Sequence, residues 1–465
     1  MSARKLAAGG STWAWCLLAF MTLTALSRLV PPMQSPDENS HFMRAAMLAN
    51  GQWSLQAAPA GTPSELSGIG GWVDKNLALF AFESLAIATR QNSKPPMELR
   101  EHHQALHWAG DKVFYPVPGT GYYFPLIYAP QALALGLGEA LGLGIATSYQ
   151  LTRSLTLVVI CLLIALAWQR FTPNAAVVAV GTLPMALFQA ISPTLDGLTT
   201  ALALLAISEF LRRLSSPPPA DTGSAWLLWT SLFLVITSRT HLAPMLLMPL
   251  YLAWRHRSGR DWSGGLVLWA ACAAWVVYAM ANTTDARVVR QHTTIDILRD
   301  YLTHPLSFLR LVGDTLAHDN NLTFYAQSFI GILGWLDTPL IARSYLLIGA
   351  ALMAALLASV PWRNERANAA TRLCLVVVSA SAVLLTFLAL AATWTPYPAI
   401  AIEGVQGRYF LVPALLACYA LGPIQPRAEA TASCWRWRSL VAAAAAATSV
   451  GALIATLQAR YQLHL

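Results

Sequence analysis

Apolar runs of membrane length fill the chain, and short polar interruptions separate them. The runs cover 12–30, 153–169, 175–192, 196–211, 263–282, 342–360, 372–392, 408–423 and 439–457. A helix that crosses a bilayer needs about 20 mostly apolar residues. Two shorter runs, 225–238 and 241–254, flank "SRTH" and predict a tight helical hairpin. The pattern predicts an all-α polytopic membrane protein with about 11–13 transmembrane helices. It reads as one integral membrane domain over 1–465.

Composition agrees with the pattern. Of 465 residues, 56% are hydrophobic and 11% charged, whereas about 25% are charged in a soluble domain. The mean hydropathy is +0.50. The net charge of +8 is read as topology, because Lys and Arg collect on the cytoplasmic side. The Arg residues sit in short loops between apolar runs, not on one basic face, which argues against nucleic acid as a partner. All six cysteines but Cys434 lie in apolar runs, and none forms a CxxC pair. No disulfide framework or metal cluster is read from them.

Orientation follows from the basic loops. Arg4 and Lys5 precede the first run, which is of membrane length and lacks an A-x-A cleavage site. An uncleaved first helix with a cytoplasmic N-terminus is expected. Segments 168–170, 211–213, 255–260, 362–372 and 434–438 carry Arg and are assigned to the cytoplasm. Residues 31–121 and 283–341 then become two outer loops. By parity, 122–150 starts and ends outside. Its Pro- and Gly-broken "GYYFPLIYAPQALALGLGEALGLG" suits a re-entrant or in-plane segment, or a pair of short crossings. The same parity applies to "FIGILGWLDTPL".

The outer face gathers the polar residues able to do chemistry. "SPDENSH" follows the first run directly and contains Asp37, Glu38 and His41. The acids can cap a helix beginning near His41. They can also act as a general base toward a hydroxyl or hold a divalent cation. Arg408, in "GVQGRYF", is either a snorkelling Arg beside an interfacial Tyr409 or a phosphate grip. On the second reading Gly404 and Gly407 let a ligand approach the backbone, and Gln406 adds a hydrogen bond. Arg239 and His241 at the hairpin tip, and Arg153 at the outer start of its helix, add cationic points. Asp196, in "SPTLDG", reads equally as a helix cap. Tyr122, Tyr123 and Tyr128 either line a lipid or sugar groove or form an aromatic belt. His103 and His107 have i, i+4 spacing, but no third ligand is nearby and a solvated loop is the expectation.

"SPDENSHFMRAAMLANGQW", "YYFPLIYAPQAL", "LPMALFQAISPTLDG", "GILGWLDTPL" and "EGVQGRYFLVPAL" together resemble a bacterial family of multi-span membrane proteins of formally unknown function. The resemblance covers about 31–415. That family is in turn similar in layout to the GT-C superfamily of membrane glycosyltransferases. The resemblance implies a GT-C-like fold with a long first periplasmic loop, in a bacterial inner membrane. It implies transfer from a polyprenyl-phosphate sugar donor to a cell-envelope glycan or lipid acceptor at the periplasmic face. The acid just past helix one serves such enzymes as base or acceptor positioner, sometimes through a metal, and here falls on Asp37 and Glu38. A basic residue in a later hairpin contacts lipid phosphate, and Arg239 stands where Lys is expected. A flippase for a lipid-linked glycan and a non-enzymatic scaffold are the competing readings. A scaffold would not require Asp37, Arg239 and Arg408 to converge.

Overall fold

The computed structural model describes residues 3–62, 68–88, 97–215, 222–283, 292–318, 320–361, 368–424 and 432–461. Part of the "SSPPPA" segment and residues 362–367 of the basic stretch 362–372 fall outside these residues.

Helix α1 (Ala3–Leu29) leads into a short loop and α2 (Glu38–Ala49). A small antiparallel sheet follows, in order β1 (Gln56–Ala57), β2 (Ile69–Asp74) and β3 (Lys112–Pro116). Between β2 and β3 lie α3 (Lys75–Ala88) and α4 (Met97–Ala105). Two 3-10 turns, Pro118–Tyr122 and Pro125–Tyr128, precede α5 (Ala129–Ala140) and α6 (Ile145–Arg170). The segment expected to re-enter or to cross twice is therefore two turns and a 12-residue helix. At 1.5 Å per residue α5 spans about 18 Å, short of the roughly 30 Å hydrocarbon core. It packs on α6 and α2 instead.

The run at 175–192 is not one helix. It divides into α7 (Ala175–Gly181) and α8 (Pro184–Ile191), broken where Pro184 starts a new first turn. A bend of 113° then separates α8 from α9 (Asp196–Leu214). Pro193 sits in that bend, where it cannot extend a helix. The Thr194 carbonyl freed in the bend accepts from the Gln131 side-chain amide at 3.2 Å, and the Ser192 and Ser35 hydroxyls meet beside it at 2.7 Å.

Helix α10 (Thr222–Ser238) ends in a 3-10 turn, Thr240–Leu246, continued by α11 (Leu247–His256). Then come α12 (Gly259–Asn282), α13 (Thr294–Thr303), α14 (Pro305–Ala317) and α15 (Asn321–Gly331). A two-stranded hairpin, β4 (Ile332–Leu333) and β5 (Thr338–Pro339), precedes α16 (Ala342–Ser359) and α17 (Ala369–Thr393). The 3-10 turn Gly407–Phe410 opens α18 (Leu411–Leu421), and α19 (Ala432–Tyr461) ends the fold.

Among the described residues five helices are long and apolar enough to cross a membrane, or six if the bent α8–α9 pair counts as one span. Three shorter apolar helices, Cys16–Leu29, Gly223–Ser238 and Gly407–Leu421, stand beside them. This is fewer than the 11–13 predicted: the run 175–192 is cut after Gly181 into helices of 7 and 8 residues, and α10 and α11 have only 17 and 10 residues. The protein is an all-α polytopic membrane protein. Side chains such as Leu266, Val267, Val277, Leu346 and Leu357 are more than half exposed on α12 and α16, as bilayer contact requires.

Helix α6 packs on α1, α5 and α9, and α9 on α10. The 19 residues of α9 carry Asp196 at one end and Arg212 and Arg213 at the other, roughly 25 Å apart. At the Arg end Arg213 pairs with Asp261 at 2.6 Å, and buried Glu209 receives Arg212 at 2.7 Å. The Asp196 end holds the other polar cluster.

Candidate functional site

The loop between α1 and α2 is held from beneath. Glu38, fully buried, accepts the backbone N–H of Ser35 at 2.9 Å and of Met33 at 3.2 Å, and the hydroxyl of Tyr149. Arg153 Nη1 donates to the carbonyls of Ser27 at 2.9 Å and Val30 at 2.6 Å, and Nη2 to that of Pro31 at 3.0 Å. Its Nη2 lies 3.6 Å from Glu38 Oε1. Sequence reading put both residues toward substrate; the structure puts them into a buried clasp behind the loop. Their hydrogen bonds go to the protein's own backbone and to Tyr149, and their charges face each other.

The clasp shapes what precedes α2. Met33 and Asp37 adopt left-handed backbone conformations, with φ of 61° and 59°. Asp37 occupies the N-cap position, yet its carboxylate makes no capping bond. The capping role expected as the bland reading is thus not what Asp37 does. Its side chain is 50% exposed and points to Arg408.

Around it, four segments distant in sequence meet. Arg408 Nη2 lies 3.9 Å from Asp37 Oδ2, and Nη1 lies 3.8 Å from Asp196 Oδ2. Arg239 forms a direct charge-assisted hydrogen bond to Asp196 Oδ1. Arg239 Nη1 donates to the Tyr123 hydroxyl at 3.3 Å, with the guanidinium 5.4 Å from the Tyr123 ring centre. The Arg408 guanidinium stands 5.3 Å from the Tyr409 ring, whose centre is 6.2 Å from that of His241. His41 Nδ1 is hydrogen-bonded to the Tyr128 hydroxyl at 2.8 Å, and its ring lies 5.9 Å from Tyr123. Burial pushes the His41 imidazole down to about 4, against the pull of Asp37 and Asp196. Burial, helped by Arg239, pushes His241 down to about 3. Both rings are neutral near pH 7.

Each charge arrives by a local device. Asp196 starts α9 just after the bend, and Gly197 lets that turn close: a Cβ there would lie 3.0 Å from the Gln189 carbonyl oxygen. Arg239 ends α10 with its N–H bonded to Val235 at 2.8 Å. Arg408 lies in the 3-10 turn that opens α18, and Gly407 sets its place. The Gly407 N–H bonds to Ser328 at 2.8 Å, and a Cβ would fall 2.1 Å from the Phe329 backbone nitrogen. Gly407 therefore serves close packing on α15, not ligand approach. Gly404, at φ 76°, is packed against the Trp394 ring. Gln406 lines a neighbouring groove, and its buried Oε1 has no hydrogen-bond partner.

The structure thus brings together Asp37, His41, Tyr123, Asp196, Arg239, His241, Arg408 and Tyr409, and sets apart Glu38 and Arg153. Tyr128, offered by sequence only as groove or belt, is the fully buried partner of His41. Its signal is its place in a Pro-broken aromatic stretch that follows residues 31–121. For a divalent cation the fit is poor: among the described residues no three His, Cys, Asp or Glu side chains are placed to hold one ion. Both site carboxylates already face guanidinium groups. His103 instead bonds Glu83 at 3.0 Å, and α4 ends at Ala105, so His107 does not share its helical face.

Two guanidinium groups and two carboxylates at one helix end can hold an anion and leave a carboxylate open to it. Arg408 Nε is buried without a hydrogen-bond partner. No curated protein and no solved structure matches the chain. The profile of a family described as predicted membrane protein, DUF2142, matches residues 20–417. That span takes in residues 31–121 and 283–341 and every residue of the cluster, and the chain belongs to this family.

Proposed function

We propose that the protein is a membrane glycosyltransferase moving a sugar from a polyprenyl-phosphate donor to a cell-envelope glycan or lipid acceptor. The observation that carries this reading is the meeting of half-exposed Asp37 with Arg408, Asp196 and Arg239 at one end of the apolar helices. A lipid-linked sugar keeps its tail in the bilayer and its phosphate at the interface, which is where such a cluster is useful. In this scheme the acceptor hydroxyl loses its proton to the Asp37 carboxylate as its oxygen bonds to the anomeric carbon. The bond from that carbon to the phosphate oxygen breaks, and polyprenyl phosphate leaves. Arg408 and Arg239 stabilise the charge that develops on it. Asp196 orients both guanidinium groups, and neutral His41 holds Tyr128 and the wall beside Asp37. The reaction then takes place on the periplasmic face of a bacterial inner membrane, with the N-terminus in the cytoplasm.

The test is sugar transfer in membranes holding equal amounts of wild type and Asp37→Asn, with a panel of polyprenyl-phosphate sugars. A loss of about 100-fold or more is expected for a general base. Equal rates sink the mechanism. A wild type silent on all donors that still moves a lipid-linked glycan across the bilayer turns the reading to a flippase.

A further inference from the structure

A second concave site lies beside the charged cluster. It is a groove of about 590 Å³ between α15, the turn of the β4–β5 hairpin and the segment 395–406. Pockets for small molecules hold about 300–1,000 Å³. Its walls are preformed. The Ile402 N–H bonds to the Thr315 hydroxyl at 2.9 Å, and the Glu403 N–H to that of Thr395 at 3.0 Å.

The lining has a definite chemistry. Phe324, Tyr325, Pro396 and Pro398 give it apolar and aromatic surface. Gln406 supplies a buried carbonyl oxygen without a partner, and Glu403 a carboxylate. No Arg or Lys lines it, and His318 at its edge is the one basic side chain among its lining residues. The groove therefore asks for hydrogen-bond donors and an apolar face, and offers a phosphate no guanidinium or ammonium group. Two residues further on, Arg408 turns to Asp37 and Asp196. The hairpin turn is tied to the Asp37 loop as well, since Trp335 Nε1 donates to the Met33 carbonyl at 3.0 Å.

We infer that this groove binds an uncharged pyranose unit of the glycan acceptor, its C–H face on the aromatic wall and its hydroxyls donating to Gln406 Oε1 and Glu403. The inference rests on the glycosyltransferase reading and adds a division of labour to it. Phosphate goes to the Arg408 cluster, neutral sugar to the groove.

Binding separates the two claims. Purified protein in nanodiscs is titrated with maltose, with diacetylchitobiose and with a glucuronic-acid disaccharide, followed by saturation-transfer NMR. Binding of polyprenyl phosphate is measured in parallel. At least one neutral disaccharide is expected to bind wild type more tightly than the acidic one. Gln406→Leu removes the unpaired acceptor and is expected to weaken that binding about 10-fold. Ala401→Trp fills the groove and is expected to abolish it while keeping the polyprenyl-phosphate affinity, which shows that the variant is folded. The inference is overturned if no neutral disaccharide binds wild type, if the acidic one binds more tightly, or if either variant binds sugar as wild type does. Loss of polyprenyl-phosphate binding by wild type instead counts against the function proposed above.

Discussion

Arg408 and Asp37, from opposite ends of the chain, face each other at 3.9 Å across the mouth of the cluster. That separation is a loose pairing, not a closed bidentate bridge, so Arg408 can turn part of its donor set toward an entering phosphate. Arg408→Gln keeps a planar donor but loses the charge. Initial rates of sugar transfer should fall by about 10²–10³, the usual cost of removing one donor to a developing oxyanion. Arg408→Lys should recover only part of the rate, because an ammonium cannot serve Asp37, Asp196 and a phosphate at once. Full activity in Arg408→Lys would show that only net charge matters here.

The Glu38–Arg153 clasp should show itself in stability. Removing one partner of a buried pair costs about 3–5 kcal/mol. Arg153→Met is therefore expected to lower the thermal unfolding midpoint of the purified protein and its yield in membranes. What remains folded should retain its affinity for polyprenyl phosphate. A variant that unfolds like wild type but no longer binds the lipid would return Arg153 to the substrate site.

Stability should also depend on acid. His41 titrates near 6.5 when unfolded and about 4 when folded. The folded state thus binds fewer protons, and the stability that neutral His41 contributes is complete above pH 6.5. It is lost as pH falls toward 4, with a slope of up to about 1.4 kcal/mol per pH unit. His241, depressed to about 3, adds a similar slope over a wider window. His41→Gln should reduce the slope of unfolding free energy between pH 6.5 and 4, measured in denaturant. An unchanged slope means that His41 is charged in the folded protein.

Gly407→Ala tests the packing that places Arg408. The added methyl would meet the α15 backbone at 2.1 Å from Phe329 N and 2.3 Å from Tyr325 O. Overpacking of this kind costs about 1–3 kcal/mol. Transfer should drop with no change in charge, and the unfolding midpoint should drop with it. Wild-type stability and rate in this variant would leave Gly407 without a role.

The hydropathy pattern carried most of the helices, because twenty apolar residues in a row have few other uses. It could not show where they break. Pro184 marks the break between α7 and α8 inside 175–192 while the apolar composition runs through it, and the 113° turn before Asp196 depends on Pro193 and on hydrogen bonds with Gln131 and Ser35, far off in sequence. The charged members of the cluster were legible for a simple reason: a charge at the end of an apolar run needs a partner. Which partner was not legible. Arg153 and Glu38 looked like Arg408 and Asp37 in the sequence, and only the fold shows that one pair is sealed behind the loop and the other is open. Gly407 looked like room for a ligand because the sequence does not reveal that α15 occupies it.

The left-handed backbone at Asp37 reaches beyond this one chain. At φ 59° only Gly, Asn and Asp sit comfortably. Asp and Asn codons differ by a single base, so the acid can be lost in one mutational step with little conformational penalty. Relatives that carry Asn at this position are expected to be well folded and chemically silent, free to drift toward a pure lipid-binding role. At this one residue, the shape of the protein and its chemistry can evolve apart.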